Sequence, residues 1–150
     1  MKYDDASWHT GGDFPENSPQ EFGATHIALF MKWCFQQGWA GSYHTEEQPE
    51  DLKGVIEGSH SATDYFLKYC DGKLTDEDFS SDGNDFAAQY YGSGGLYLND
   101  YAEHFGELMY VAPESAHDYS KFQTVLDGRL QSGILTGKQL KKSKPWWKFW

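Results

Sequence analysis

The stretch that decides the fold is residues 18–38, which read SPQEFGATHIALFMKWCFQQG. Ser18 supplies an N-cap hydroxyl, and Glu21, three residues later, completes a capping box. The residues that follow are apolar on nearly every face of a helix, and Gly38 provides a stop. Because a helix that is apolar all round must be buried, the sequence predicts a compact fold around a central helix over residues 19–38.

Shorter amphipathic segments, each with its own start and stop signals, follow this helix. Pro49 opens a segment that Gly58 ends, and Ser61 together with Asp64 caps the next one. The remaining signals are a single turn capped by Thr75 and Asp78, a helix capped by Asp82, and helices over Leu96–Phe105 and about Tyr119–Gln131.

Strand signals are scarce by comparison. Residues 108–111, LMYV, form the only convincing strand pattern, and residues 1–17 are interpreted as an ordered loop because they are rich in glycine, aspartate and aromatic residues. A lone strand needs a partner, so a small sheet element is expected. The predicted fold class is therefore mainly α with a minor β element.

Charge divides the chain into two parts. The net charge is -11, from 12 basic and 23 acidic residues. Five of the basic residues and none of the acidic ones lie in residues 136–150. We therefore expect an acidic globular domain at residues 1–135 and a basic, aromatic C-terminal tail at residues 136–150. So acidic a domain repels the phosphates of nucleic acids and attracts a basic partner.

The sequence carries no signal for export or for membrane insertion. Its first residues lack the apolar segment of a signal peptide, and no apolar run approaches the ~20 residues that cross a bilayer. Cys34 and Cys70 lie in apolar helical patterns and are expected to be reduced core thiols. These features predict a cytoplasmic protein without stable membrane insertion.

The histidines and cysteines match no standard catalytic or metal-binding spacing, so the sequence predicts no metal and no cofactor. One group in the N-terminal loop is nevertheless a candidate motif, and it comprises Asp4, Asp5, Trp8, His9 and Asp13. His and Asp together could supply the base of a small hydrolase. Because no nucleophile accompanies them, we favour side chains that tie the loop to itself. His26 is expected to be a core histidine.

A second set of residues forms a candidate partner-binding surface. Its acidic members are Glu46, Glu47, Glu50, Asp51, Asp76, Glu77, Asp78, Asp82 and Asp85. Tyr90, Tyr91 and Tyr97 are expected to be exposed beside them, and tyrosines recur in binding hot spots. A solvated face that stabilises helix starts explains the acidic residues equally well.

Four stretches carry a resemblance to a family of short bacterial domains of unknown function. They are residues 3–15 (YDDASWHTGGDFP), 23–27 (GATHI), 70–78 (CDGKLTDED) and 83–87 (GNDFA). The resemblance spans most of residues 3–130 and excludes the tail. It implies no catalytic residues. It does imply an association with immunity proteins of bacterial toxin systems.

The leading hypothesis is an immunity-type protein, not an enzyme, that binds and neutralises a cognate bacterial toxin. Its acidic surface would block a basic active site on that toxin. One alternative is a small hydrolase-like enzyme that uses the N-terminal His and Asp residues. Another is a membrane-associated adaptor that docks through the lysines and tryptophans of the tail. The oligomeric state stays open.

Overall fold

A buried helix lies at the centre of the computed structural model, which describes residues 2–9, 22–92, 96–105 and 116–132. This helix, α1, spans Phe22–Gln36, and every residue from 23 to 35 is buried. The predicted central helix is thus confirmed, although its first predicted turn lies outside the described residues. The helix ends because Gly38 adopts a φ of +85°, a left-handed conformation that favours glycine.

Six more α-helices surround α1 in the described part of the chain. They are α2 (Ser42–Glu47), α3 (Pro49–Glu57), α4 (Ala62–Tyr69), α5 (Ser81–Ala87), α6 (Leu96–Phe105) and α7 (Ala116–Ser132). The predicted signals of α3 are confirmed, because Pro49 begins it and Gly58 ends it with a φ of +88°. The predicted cap of α4 is also confirmed, since the Ser61 hydroxyl accepts the Asp64 N–H at 3.1 Å.

The start of α5 corrects one prediction. Its N-cap is Ser80, whose hydroxyl accepts the Gly83 N–H at 3.4 Å, and Asp82 lies inside the first turn. Gly83 packs so closely that an added Cβ would lie 2.9 Å from the Cβ of Trp39. The absence of a side chain at Gly83 therefore allows the first turn of α5 to pack directly against Trp39. Past Ala87 the chain continues as a π-helical turn over Ala88–Gly92.

A two-stranded antiparallel sheet corrects the interpretation of the N-terminus as a loop. Strand β1 (Lys2–Asp5) pairs with β2 (Lys73–Thr75), and Asp4 lies opposite Leu74. A 3-10 turn, Ala6–His9, follows β1 and lies against α1. The minor β element is therefore confirmed, but through these strands. The predicted strand at residues 108–111 lies outside the described residues.

Aromatic side chains fill the core around α1. Phe30 contacts the rings of Phe79, Phe86 and Tyr91, with centroids 5.0–6.4 Å apart. Burying one such side chain stabilises a fold by roughly 1.5–3 kcal/mol. This packing holds β1, α2 and α4 in place, and these three elements carry residues of the candidate sites. Both cysteines are free thiols, and Cys34 is buried in the core as predicted, whereas Cys70 is only partly buried against it.

Candidate functional site

The predicted acidic surface lies on neighbouring elements, namely α2, the start of α3, a 3-10 turn at Asp76–Asp78 and α5. Its exposed members, the acidic face, are Glu46, Glu47, Glu50, Asp76, Glu77, Asp82 and Asp85. Backbone contacts tie the elements together, since Gly41 N–H donates to the Asp78 carbonyl at 2.9 Å. The Asn84 amide donates to the Asp76 carbonyl, also at 2.9 Å. The sequence has no lysine or arginine from residue 74 to residue 120.

Two of the predicted acidic residues do not belong to this open surface. Asp78 is buried, and its carboxylate accepts hydrogen bonds from the Thr75 N–H at 2.9 Å and from His44 Nε2 at 2.8 Å. The predicted cap of that turn by Thr75 and Asp78 is confirmed as a capping box. Asp51 is half-buried on α3, where it accepts the Tyr69 hydroxyl and lies 3.6 Å from His60.

The expected exposure of Tyr90, Tyr91 and Tyr97 is wrong. All three are buried around Phe30, and each hydroxyl has an acceptor, which is what permits burial of tyrosine. The acceptors are Asp100, Asp4 and the His26 carbonyl, respectively.

Tyr43 on α2 is an exposed tyrosine that lies beside Glu46 and Glu47 of the acidic face. It is 44% exposed, which is unusual for a large aromatic side chain in a protein whose core holds most of its aromatic rings. Glu46 and Glu47 follow it by three and four residues, the spacing that places side chains on one face of a helix. Tyr43 was not predicted from the sequence, although its spacing of three and four residues from Glu46 and Glu47 is a usable signal.

The N-terminal motif divides into a buried part and an exposed part. Asp4, His9 and His26 come together, and we call these three residues the N-terminal cluster. His9 Nε2 lies 2.8 Å from Asp4 Oδ1 and 3.2 Å from His26 Nε2, while His26 Nε2 lies 3.5 Å from Asp4 Oδ2. The side chains are 3%, 13% and 0% exposed, respectively, so only His9 reaches the surface.

Burial and hydrogen bonding set the charge state of the N-terminal cluster. Burial by itself would raise the pKa of Asp4, but hydrogen bonds from His26, His9 and Tyr91 outweigh it and lower that pKa well below the usual range. Burial also lowers the pKa of His26, against the opposing effect of Asp4. The cluster therefore holds an ionised carboxylate beside a neutral His26 imidazole near pH 7.

The rest of the N-terminal motif has other roles. Asp5 pairs with Lys2 at 2.9 Å and accepts the Ser7 hydroxyl at 2.8 Å, so it stabilises the turn after β1 as a local side-chain tie. Trp8 is 60% exposed, and Lys2 Nζ lies 5.3 Å from the centroid of its ring. Asp13 lies outside the described residues.

A second histidine–aspartate group lies between α2, α4 and the Asp76–Asp78 turn. His44 Nε2 donates to Asp78 Oδ1 at 2.8 Å, and the Tyr65 hydroxyl donates to His44 Nδ1 at 2.6 Å. We call Tyr65, His44 and Asp78 the buried triad. The Cys70 thiol donates to the same Asp78 oxygen at 3.4 Å, and burial raises the pKa of that thiol far above its ordinary value.

An open cleft of about 360 Å³ lies between α3 and α4. Its lining includes Asp51, His60, Asp64, Lys68 and Tyr69. The described members of the N-terminal motif, Asp4, Asp5, Trp8 and His9, are not among its lining residues. The tail of residues 136–150 lies outside the described residues.

Comparison with known proteins identifies the family. A family model matches residues 2–117, which is more than half of the chain. The chain belongs to the family described as Domain of unknown function (DUF7832). The DUF7832 match includes the acidic face, the N-terminal cluster and the buried triad, and it ends before the basic tail. A search of curated proteins and a search of solved structures each found no significant match.

Hydropathy adds one finding about membranes. Among the helices in the described ranges, none combines the length and the apolar character that a bilayer-spanning segment needs.

Proposed function

We propose that this protein is an immunity-type inhibitor, which binds a basic bacterial toxin through the acidic face and blocks its active site. The observation that carries the proposal is the exposed Tyr43 ring beside Glu46 and Glu47. Tyrosine is enriched among hot-spot residues, and the rim that surrounds a hot spot is polar and accessible to solvent.

The charge distribution supports a basic partner. The acidic face gathers residues from four neighbouring elements, and no lysine or arginine occurs from residue 33 to residue 52 or from residue 74 to residue 120. A surface of one sign accelerates the encounter with a partner of the opposite sign and disfavours acidic partners. The association of the resembled family with toxin immunity supplies the class of partner.

The structure gives the hydrolase alternative less support. Asp4 and His26 have side chains that are almost fully buried, so a substrate could reach only His9 within the cluster. Asp5 and Trp8 are engaged with Lys2. A binding function therefore explains more of the exposed residues than an enzymatic one.

The test measures binding to whatever toxin-like protein the neighbouring genes encode, with two charge-matched double variants. Glu46→Lys with Glu77→Lys reverses two charges of the acidic face. Glu57→Lys with Glu103→Lys reverses two exposed charges on α3 and α6, outside that face. We expect the first variant to weaken binding at least about tenfold, mainly through a slower association rate, and the second to change it little.

The variant Tyr43→Ala measures the contribution of the aromatic ring to binding separately from that of the acidic residues. We expect it to weaken binding by about 2 kcal/mol through faster dissociation, as the loss of a hot-spot tyrosine does. Equal effects of the two double variants, or no binding of the neighbouring toxin-like protein by the wild type, would overturn the proposal.

A further inference from the structure

We propose that Asp4, His9 and His26 form a binding site for a divalent transition-metal ion of the Zn²⁺ type, which ties β1 and the Ala6–His9 turn to α1. Neither the family nor the proposed function assigns such a site. The proposal does not depend on toxin binding.

The first argument is the geometry of the three ligand atoms. The Nε2 atoms of His9 and His26 and the carboxylate of Asp4 are separated by 2.8, 3.2 and 3.5 Å. In a tetrahedral zinc site with bonds of about 2.0–2.1 Å, neighbouring ligand atoms lie roughly 3.3–3.4 Å apart. The 2.8 and 3.5 Å distances end on different oxygens of Asp4, and one ligand atom from each of the three residues lies within 4.8 Å of the other two, a spacing close to that of three ligands around one ion.

The second argument concerns protons. A ring nitrogen of neutral histidine carries either one hydrogen or one lone pair, so it makes one strong hydrogen bond. His9 Nε2 faces both Asp4 Oδ1 and His26 Nε2, and a single hydrogen cannot point at both. A cation offers the His9 and His26 Nε2 atoms and the Asp4 carboxylate one common partner, which accepts a lone pair from each of them.

The surroundings resemble the outer shell of a metal site. The Tyr91 hydroxyl donates to Asp4 Oδ2, and the Asp5 N–H donates to Asp4 Oδ1 at 2.8 Å. Such bonds fix the orientation of a ligating carboxylate. Two histidines and one carboxylate are a donor set that suits zinc and similar transition metals, and zinc with three protein ligands completes its coordination with water.

The sequence grouped Asp4 with His9 but not with His26, since the three potential ligands come from three elements. Asp4 lies on β1, His9 lies on the following turn, and His26 lies on α1. Neither the interval of five residues nor that of 17 residues is a standard metal spacing. The expectation that the chain holds no metal rested on spacing alone.

The experiment uses the full untagged chain, freed of metal with a chelator, and titrates it with Zn²⁺ by calorimetry. We expect about one ion per chain and a rise in melting temperature of roughly 5–10 °C at a free Zn²⁺ concentration near 100 times the dissociation constant. His9→Gln should weaken binding at least about 10-fold to 100-fold, since losing a second-shell partner alone can do so. His60→Gln is the matched control, because His60 lies 3.6 Å from Asp51 but outside the cluster.

Three results would overturn the site. The first is the absence of a stoichiometric Zn²⁺ complex in the wild type. The second is an equal Zn²⁺ affinity of the wild type and His9→Gln, and the third is a larger loss of Zn²⁺ affinity in His60→Gln than in His9→Gln. If His9→Gln does not fold, the absorption spectrum of the Co²⁺-loaded wild type decides. Intense visible bands of tetrahedral cobalt support the proposal, and the weak spectrum of hydrated cobalt refutes it.

Discussion

The N-terminal cluster and the buried triad use the same residue types in different ways. In the buried triad the bonds run in a line, since Tyr65 donates to His44 Nδ1 and His44 Nε2 donates to Asp78. Each ring nitrogen then has one partner, and the second Asp78 oxygen caps the Thr75 N–H. In the N-terminal cluster the two Nε2 atoms instead lie 3.2 Å from each other, and both lie beside the Asp4 carboxylate.

This difference separates a structural role from a ligand-binding one. A line of matched donors and acceptors is complete without any further atom, and it stabilises the packing of α2 on α4. Three potential ligand atoms this close together can also share one cation, which a line of paired donors and acceptors cannot do. Buried histidine–aspartate contacts should therefore be judged by the direction of their lone pairs as well as by distance.

The largest expected effect comes from breaking the buried triad with Asp78→Ala. The change leaves the His44 and Thr75 N–H groups without their acceptor, and each unsatisfied buried donor costs about 1–3 kcal/mol. We expect the free energy of unfolding, measured in urea, to fall by roughly 2–5 kcal/mol. Asp85→Ala, on the exposed side of α5, is the control and should change stability by less than about 0.5 kcal/mol. Equal losses in the two variants would show that the triad is not structural.

A smaller loss of stability is expected from substituting Asp100, which pairs with the guanidinium group of Arg129. Arg129 on α7 donates to both Asp100 oxygens, at 2.8 and 2.9 Å. Burial alone would raise the pKa of Asp100, but the hydrogen bonds from Arg129 and Tyr90 lower it. Asp100→Asn should cost roughly 1–3 kcal/mol at pH 7, because it removes a charge-assisted pair.

The pH dependence of this loss follows from the sign of the pKa shift. A carboxylate with a lowered pKa in the folded state stabilises the fold fully above its unfolded pKa of about 3.9. That contribution disappears as the pH falls through the lower folded pKa. The stability difference between the wild type and Asp100→Asn should therefore shrink below about pH 4, whereas exposed Glu103→Gln should show little difference at any pH. A difference that is constant with pH would contradict the ion pair.

The sequence predicted most of the described helices because their signals are local, but it missed α2, which begins without a side-chain cap. Pro49, Gly58 and Ser61 act within four residues of the helix ends that they define. The strand β1 was missed because its partner β2 lies about 70 residues away, and neither strand has a long alternating pattern. Local signals of this kind carry no information about pairing between distant segments.

The candidate sites were harder to predict for the same reason. Whether Tyr90, Tyr91 and Tyr97 are exposed depends on acceptors supplied by other elements, and their burial brings Tyr91 to Asp4 across 87 residues. His26 was correctly placed in the core, but its neighbours Asp4 and His9 become visible only once β1 is placed against α1. The exposed acidic residues could be predicted because helix starts and polar turns favour them locally.

The smallest expected effect distinguishes best between a metal at the N-terminal cluster and a metal at the buried triad. The Cys70 thiol lies beside Asp78 of the buried triad, and a thiolate ligand changes the absorption spectrum of bound Co²⁺. His44, Cys70 and Asp78 also place three potential ligand atoms near one another, so a metal could in principle bind there. A metal at that place would deprotonate the Cys70 thiol, whose pKa burial raises, and would produce a thiolate-to-cobalt charge-transfer band. We expect no such band in the Co²⁺-loaded protein, and we expect Cys70→Ala to leave both the visible spectrum and the affinity unchanged. A thiolate band that disappears in Cys70→Ala would reverse the comparison, since it would place the metal at the buried triad and leave the N-terminal cluster as a shared-proton network.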